Sequence, residues 1–526
     1  MTLLVDSLPT TPRATGAGIV ASAFPAASDA GAEMLGRGGN AVDAAVAAAW
    51  ALAVCEPSAS GLGGHTVLMV HRESGTPIVI RGPVRAPAGA AGRAVPRRDR
   101  HAGFRAATVP TTPATLEAAL AAHGRLPLAT VLEPAIRLAA DGYQITRLQS
   151  RQLRWCRRTL AATEGASRFL RDGRAYQPGE RFRQPRLAEA LTRIERHGVR
   201  DFYEGAIAAA IVEDMERHGG LITADDLRCL PAPAAEPALT ISYRGHLVAC
   251  PAPPGGGPQL LFALRLLEEL GPPDPLGDPD GWRAGLALAT FATFREREAM
   301  TRDSSDPAAG GRHLDRERAR AVARRLDGGA AVRPGVDAEE PGDTTHLCAM
   351  DSDGLTVSLT QSIQSLFGAK VANERYGFVY NNYLTTVPRR SARSPGLGSD
   401  GVIRSNAAPT VIVAPGNERV VALGAAGSRR IVSSLLTCIS GMLDGGLDPA
   451  EAVAAPRVHA RLSGRVWVER PAATPTLVAA LTDEGFMVEQ RSRLSYAMGS
   501  VQAVARTAFT MDGAADPRRD GSLCRR

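Results

Sequence analysis

From Leu355 to Ile363 polar and apolar residues alternate. Successive side chains of a strand point to opposite faces, so Thr356, Ser358, Thr360 and Ser362 share one face and Val357, Leu359, Gln361 and Ile363 the other. Upstream, residues 347–350 make a short apolar strand and Asp351-Ser352-Asp353-Gly354 a turn, which predicts a hairpin. Folded back, the hairpin brings its row of hydroxyls beside its own start, Gly342-Asp343-Thr344-Thr345-His346-Leu347. The bland alternative is a hairpin with one solvated polar face.

Other patterns fill in the chain. Residues 17–23 read as a strand, 26–35 as a helix, and 41–54 as an Ala/Val helix capped by Asn40 that packs closely on several sides. Strands are predicted over 66–71 and 77–81, and helices over 115–122, 129–141, 184–197, 206–218 and 259–270, with strands 239–243 and 246–250 between the last two. Residues 300–342, rich in Arg, Asp, Gly and Pro, read as a mobile surface segment. Beyond the hairpin, helices are predicted near 430–443, 449–455 and 474–484, and everything from Ala514 onward as a loose tail.

Composition narrows the function classes. A 526-residue chain with 44% hydrophobic and 22% charged residues fits a soluble globular protein. The net charge of +7 comes from scattered arginines, Lys370 being the single lysine, which suits a GC-rich genome better than a nucleic-acid interface. Seven widely spaced cysteines without a Cys-x-x-Cys argue against a disulfide framework and a structural metal site. Residues 1–16 lack a signal-peptide core, and the longest apolar run, 44–55, is too short to span a bilayer. A cytoplasmic protein without cofactor, metal, nucleic-acid or membrane partner is expected.

The chemistry concentrates on Thr344. A threonine hydroxyl becomes a good nucleophile when the residue is N-terminal, because its own α-amine, with a reference pKa of about 7.7–8.0, can take the proton. In mid-chain this requires cutting the peptide bond after Asp343. Asp-Thr-Thr-His alone is a weak signal.

Joined to other stretches the signal becomes specific. Ala30-Gly31-Ala32-Glu33-Met34-Leu35, Gly38-Gly39-Asn40-Ala41-Val42-Asp43-Ala44-Ala45, Glu56-Pro57 with Gly61-Leu62-Gly63-Gly64, Leu132-Glu133-Pro134-Ala135, Phe202-Tyr203-Glu204-Gly205, Gly219-Gly220-Leu221-Ile222-Thr223 and Asp343-Thr344-Thr345-His346 run over nearly the whole chain. Together they resemble the γ-glutamyltranspeptidase (glutathione hydrolase) family of N-terminal-nucleophile hydrolases. The resemblance implies an α/β (α+β) fold, a four-layer αββα sandwich. It also implies one precursor cut between Asp343 and Thr344 into a large subunit (1–343) and a small one (344–526), with a dimer of such heterodimers a further possibility. By the same resemblance Thr344 is the nucleophile, Ser362 the hydroxyl that hydrogen-bonds it, and Ala426 and Gly427 of Gly424-Ala425-Ala426-Gly427-Ser428 the oxyanion donors.

The substrate positions depart from the family pattern. Arg81 resembles the arginine that holds the donor's α-carboxylate, with Arg85 as a rival; Ser405 and Asn406 stand at a pair of serines, and Gln364 at a common Asn. Tyr383 and Thr386 stand where acidic or amide residues normally neutralise the α-ammonium. The resemblance therefore implies a small-molecule acyl donor that bears a carboxylate but no α-amine, transferred to water or an amine. A true γ-glutamyl hydrolase or transpeptidase, a carbon–carbon hydrolase removing an oxalyl-type group in an actinobacterial natural-product pathway, and a silent binding protein are the alternatives.

Overall fold

The computed structural model describes residues 18–526 apart from 74, 83, 91–94, 272–273, 302–313, 328–331, 333–334, 336–341 and 388–402. Two antiparallel sheets face each other. The first runs in the order Ser522–Arg525, Gly18–Ser22, Gly342–Asp351, Thr356–Ser365, His65–His71, Ile78–Arg81 and Ala235–Pro237. The second runs Met511–Ala515, Ser500–Thr507, Arg419–Ala426, Thr410–Val413, His246–Cys250 and Leu239–Tyr243.

The apolar residues sort into three slabs that define the layers. Ile19, Ala21, Val67, Met69, Cys348 and Met350 meet Ala249, Val411, Val420, Ala422 and Val504 between the sheets. The alternate residues Val20, Leu68, Val70, Leu347, Val357 and Leu359 face outward onto helices that include Pro25–Gly36, Ala41–Cys55 and Leu128–Asp141. On the far side Val248, Ile412, Val421, Leu423 and Val501 face Gly257–Leu270, Pro279–Thr301 and Arg430–Leu443. Strand periodicity on two sheets, each covered by helices on one face, makes the expected αββα sandwich.

Helix Ala41–Cys55 is buried along its whole length, as its small side chains predict. Its Asn40 cap forms a box with Asp43, whose carboxylate also accepts the backbone N–H groups of Arg125 and Leu126. A Cβ on Gly31 would fall 2.9 Å from the Ala44 carbonyl, so glycine is what lets the first two helices touch.

Two expectations are overturned. The C-terminal segment is not a loose tail: Met511–Ala515 and Ser522–Arg525 are edge strands of the two sheets, paired with Ser500–Thr507 and Gly18–Ser22. Between them Asp516 and Arg518 are buried in an ionic network with Arg457 and Glu469. The local sequence is polar because its partners are other buried charges, a pattern that hydropathy cannot tell from a solvated tail. Within residues 300–342, Arg316–Asp327 is a helix whose Val322 and Ala323 enter the core, while residues 302–313, 328–331, 333–334 and 336–341 lie outside the described residues.

Strands from both sides of residue 343 interleave in both sheets. The hairpin hydroxyls do not face solvent either. Thr356, Ser358, Thr360 and Ser362 are at most 2% exposed. Ser358 Oγ donates to the Leu423 carbonyl across the sheet gap and Thr360 Oγ1 lies 2.9 Å from His346 Nδ1, so the polar face is an internal seam between the sheets.

Candidate active site

Thr344 sits in the first turn of pleat of strand Gly342–Asp351, opposite a defect in its partner. Gln361 pairs with Thr345 and Gln364 with Asp343, so one strand advances three residues while the other advances two. The extra residue is a β-bulge facing Thr344. Gln364, at φ 81°, carries the conformational strain, and its backbone N–H donates to Ser362 Oγ at 2.9 Å. Ser362 Oγ in turn stands 3.1 Å from Thr344 Oγ1 and donates to the Asp343 carbonyl oxygen at 3.0 Å. Ser362 has one proton. With that proton on the carbonyl, the Thr344 hydroxyl must donate to Ser362. Three groups that sequence placed together are thus joined at the peptide bond preceding Thr344.

Sequence reasoning missed the other half of the site. Arg519 Nη1 binds Asp343 Oδ1 at 2.7 Å and the Thr344 carbonyl at 3.1 Å, one contact on each side of that peptide bond. Tyr496 OH donates to Asp343 Oδ2 at 2.8 Å, and the Arg519 guanidinium lies over the Tyr496 ring, 4.7 Å from its centroid. Glu56 lies 3.9 Å from Arg519. Burial pushes the Glu56 carboxyl up to about 8; Arg519 pulls it down, Asp343 pushes it up further, and Thr345 lowers it. Burial opposes the charge on Arg519, but Asp343, Tyr496 and Glu56 outweigh it and hold its pKa above the ordinary value. Glu56 was legible as part of a motif; Tyr496 and Arg519 lie more than 150 residues away in sequence without a local signature.

The turn expected to supply the oxyanion donors lies close to the start of the Thr344 strand. After Ala426, which pairs with Ser500, the chain turns through Gly427 at φ 130° and Ser428 at φ 57°. A Cβ on Gly342 would lie 2.6 Å from Ser428 Cβ, and Arg430 Nη2 reaches the Gly342 carbonyl at 3.4 Å. The Ala426–Gly427 turn therefore sits against the residue two before Thr344.

Beside this centre a small cavity is lined by residues including His65, Arg81, Val84, Pro254, Ile403 and Ser405. Tyr383 is 2% exposed and stands edge-on to His65 with ring centroids 5.9 Å apart. Burial raises its pKa. Burial also lowers His65 to about 4, so its imidazole is neutral at physiological pH. Ser405 Oγ accepts the Ala407 N–H, and Asn406 binds Arg297.

Three substrate expectations change. Arg81 is in the cavity wall but not a free anchor: its Nε and Nη2 bind both oxygens of Glu236 at 2.7 and 3.1 Å, and Nη1 binds the Ala252 carbonyl. Arg85 carries a buried Nε without a hydrogen-bond partner among the described residues, so it is the less committed arginine. Thr386 spends its hydroxyl on the Tyr383 carbonyl at 2.9 Å, closing the short turn Tyr383–Thr386, and the structure does not bring it to Thr344.

This geometry can be set beside known proteins. Residues 27–525 match the sequence profile of the gamma-glutamyltranspeptidase family. The chain belongs to that family. It is 29% identical to the glutathione hydrolase proenzyme of Escherichia coli K12 over 95% of this chain and 90% of that protein. It is 33% identical to the Acylase ACY 1 proenzyme of Pseudomonas sp. strain V22, over 97% and 94% respectively. Among solved structures the cephalosporin acylase from Bacillus halodurans superposes with a TM-score of 0.83 at 26% identity, covering 100% of this chain and 99% of that one. The protein is thus an N-terminal-nucleophile enzyme of the γ-glutamyltranspeptidase family, similar to both acylase and glutathione hydrolase proenzymes. No helix among the described residues is long and apolar enough to cross a membrane.

Proposed function

We propose that the chain is a self-processing acyl hydrolase that works through an acyl-Thr344 intermediate on a donor whose acyl group carries an acid but no α-amine. The observation that carries the first half is the Ser362 hydroxyl bonded at once to Thr344 Oγ1 and to the Asp343 carbonyl. In self-cleavage Thr344 Oγ1 adds to the Asp343 carbonyl carbon. Its proton passes to Ser362 as Ser362 gives its own to the carbonyl oxygen. The tetrahedral intermediate breaks its C–N bond, the nitrogen takes a proton and becomes the Thr344 α-amine, and water hydrolyses the remaining ester. Residues 1–343 and 344–526 then remain together, because their strands are interleaved.

In turnover the new α-amine takes the hydroxyl proton, Thr344 adds to the donor's carbonyl, and the leaving amine departs with a proton. Water or an amine then takes the acyl group. The N–H groups of Ala426 and Gly427 serve the developing oxyanion; one such donor typically contributes about 3–4 kcal/mol to the transition state. Ala426 donates as well as the more usual glycine, since only its backbone is used.

Support for an amine-free donor comes from the pocket. Tyr383, where the family resemblance puts an ammonium contact, is a buried phenol, and Thr386 gives its hydroxyl to the Tyr383 carbonyl. A cationic amine there would be desolvated without a partner. One observation favours γ-glutamyl donors instead: the Arg81–Glu236 pair at the cavity edge offers an acid and a base to a zwitterion. Hydrolysis of glutaryl and γ-glutamyl p-nitroanilides by the processed protein separates the readings. A γ-glutamyl preference selects the second one.

A further inference from the structure

His65 reaches the cavity from the strand next to the hairpin. It stands directly opposite Ser362 in register, and Ser362 Oγ is 3.1 Å from Thr344 Oγ1. Side chains directly opposite in an antiparallel pair share one face, with Cβ atoms about 4.5–5.5 Å apart. The imidazole therefore borders the place where an acyl carbonyl meets Thr344, and it lines the cavity with Arg81 and Ser405.

The wall decides which ring nitrogen carries the proton. His65 is 6% exposed and neutral, as its burial dictates, so its ring holds a single N–H. Nδ1 lies 3.4 Å from Thr111 Oγ1. Thr111 has one hydroxyl proton and donates it to the Gly82 carbonyl at 3.1 Å, so towards His65 it can only accept. The proton is thus on Nδ1, and Nε2 keeps a lone pair. The two ring nitrogens diverge, so Nδ1 in the wall turns Nε2 away from it, and Nε2 has no hydrogen-bond partner among the described residues.

The lining nearby includes Val67, Val84, Pro254 and Ile403, whose side chains donate nothing. A buried acceptor left bare costs free energy that a donor on the ligand recovers. One neutral acceptor among aliphatic walls suits a hydroxyl, which has one proton to give. An ammonium brings three donors and a charge beside Arg81, and a carboxylate brings lone pairs alone.

We propose that His65 is a specificity-determining residue whose Nε2 accepts a hydrogen bond from a hydroxyl on the acyl chain next to the scissile carbonyl, so that the donors are amides of 2-hydroxy acids. The inference rests on the acyl-hydrolase reading above for its substrate, but not for the acceptor site itself.

The test compares the self-processed protein with three variants. His65→Phe keeps a ring without an acceptor, His65→Gln carries its side-chain amide to the place of Nε2, and Thr111→Val releases the Nδ1 proton. Donors are the p-nitroanilides of glutaryl, of its uncharged isostere valeryl, of γ-glutamyl, and of each 2-hydroxyglutaryl enantiomer joined through the carboxyl beside the hydroxyl. One hydrogen bond to an otherwise bare buried acceptor is worth roughly tenfold, so the wild type should favour one hydroxylated enantiomer over glutaryl by about that factor in kcat/KM. The preference should vanish in His65→Phe, be largely kept in His65→Gln and shrink in Thr111→Val, with the glutaryl-to-valeryl ratio unmoved in all three. Equal wild-type rates on hydroxylated and plain donors, or a preference that survives in His65→Phe, overturns the inference. If His65→Phe stays unprocessed, Thr111→Val decides, and an unchanged preference there overturns it as well. A γ-glutamyl donor that depends on His65 more than the hydroxylated one does would assign Nε2 to an ammonium and overturn the hydroxyl class. Calorimetry with the free acids separates the two readings. A wild type that binds 2-hydroxyglutarate more tightly than glutarate through His65, yet cleaves no anilide, retains the subsite and discards the acyl-hydrolase reading. Glutaryl cleavage without any hydroxyl preference does the reverse.

Discussion

Ser362 donates a hydrogen bond of 3.0 Å to the carbonyl oxygen of Asp343, the carbonyl that Thr344 has to attack to become a chain terminus. The same oxygen of Ser362 is the acceptor within reach of the Thr344 hydroxyl, 3.1 Å away. In the proposed self-cleavage this one side chain would polarise the electrophile and receive the nucleophile's proton. Ser362 lies within the bulge, between the Gln361–Thr345 and Gln364–Asp343 pairs.

Removing that hydroxyl should stall maturation. Ser362→Ala is expected to slow the appearance of two fragments by on the order of 10²-fold, the usual consequence of losing one donor to a developing oxyanion. Thr344→Ala should remain a single chain, and Thr344→Ser should cut. Timed denaturing gels with N-terminal sequencing check this; the smaller piece should begin Thr344-Thr345-His346. A smaller piece that begins elsewhere, or a full-length chain with undiminished activity, sinks the mechanism.

Arg519 clamps both sides of the bond, and its loss leaves the buried Asp343 without its cation. Breaking a buried pair from one side typically costs about 3–5 kcal/mol. Arg519→Met should therefore lower Tm by several degrees and slow cutting. Combining it with Asp343→Asn should restore part of the stability, since the second change removes the stranded charge. Additive losses in that double-mutant cycle would show that the pair is not coupled.

Glu56 supplies a pH dependence with a definite sign. Burial raises its carboxyl from the ordinary 4.5 to about 8, so the folded protein keeps it protonated while the unfolded chain ionises. Folded-state stability from this group is complete below about pH 4.5 and is lost as pH rises towards 8. Wild-type Tm should carry a downward slope over that interval, and Glu56→Gln, a neutral mimic of the protonated acid, should flatten it. Parallel Tm–pH curves for the two proteins would remove Glu56 as the source.

Much of the fold was legible because it is written in local periodicity. Alternation from Thr356 to Ser362 gave the strand and the shared face, and the Asn40–Asp43 box and the Ala-rich run gave the buried helix. The missed residues belong to long-range electrostatics. Arg519 and Tyr496 are ordinary polar residues until the sheets bring them against Asp343. A charged C-terminus looks solvated whenever its counter-ions lie elsewhere in the sequence, as Glu469 and Arg457 do for Arg518 and Asp516. The Arg81 ion pair was not legible for the same reason: Glu236 is 155 residues away.

Donor choice tests that arginine directly. In the ground state Arg81 has both charge and geometry satisfied by Glu236, so a donor's carboxylate can use it only by displacing Glu236 or by sharing the remaining N–H groups. If the acyl acid binds elsewhere, Arg81→Ala leaves Glu236 uncompensated and harms stability more than specificity, and Arg81→Ala with Glu236→Gln recovers Tm while the glutaryl-to-valeryl ratio stays within about twofold. If Arg81 and Glu236 instead embrace a zwitterion, Glu236→Gln alone should cut γ-glutamyl turnover by roughly tenfold, the worth of one charged contact. Arg85→Ala completes the set, because its guanidinium is the less committed one beside the cavity. The expected outcome is a wild type at least about tenfold better on glutaryl than on γ-glutamyl p-nitroanilide, with Glu236→Gln leaving that order unchanged. A γ-glutamyl preference that collapses in Glu236→Gln would make this protein a γ-glutamyl enzyme with an unusual ammonium partner.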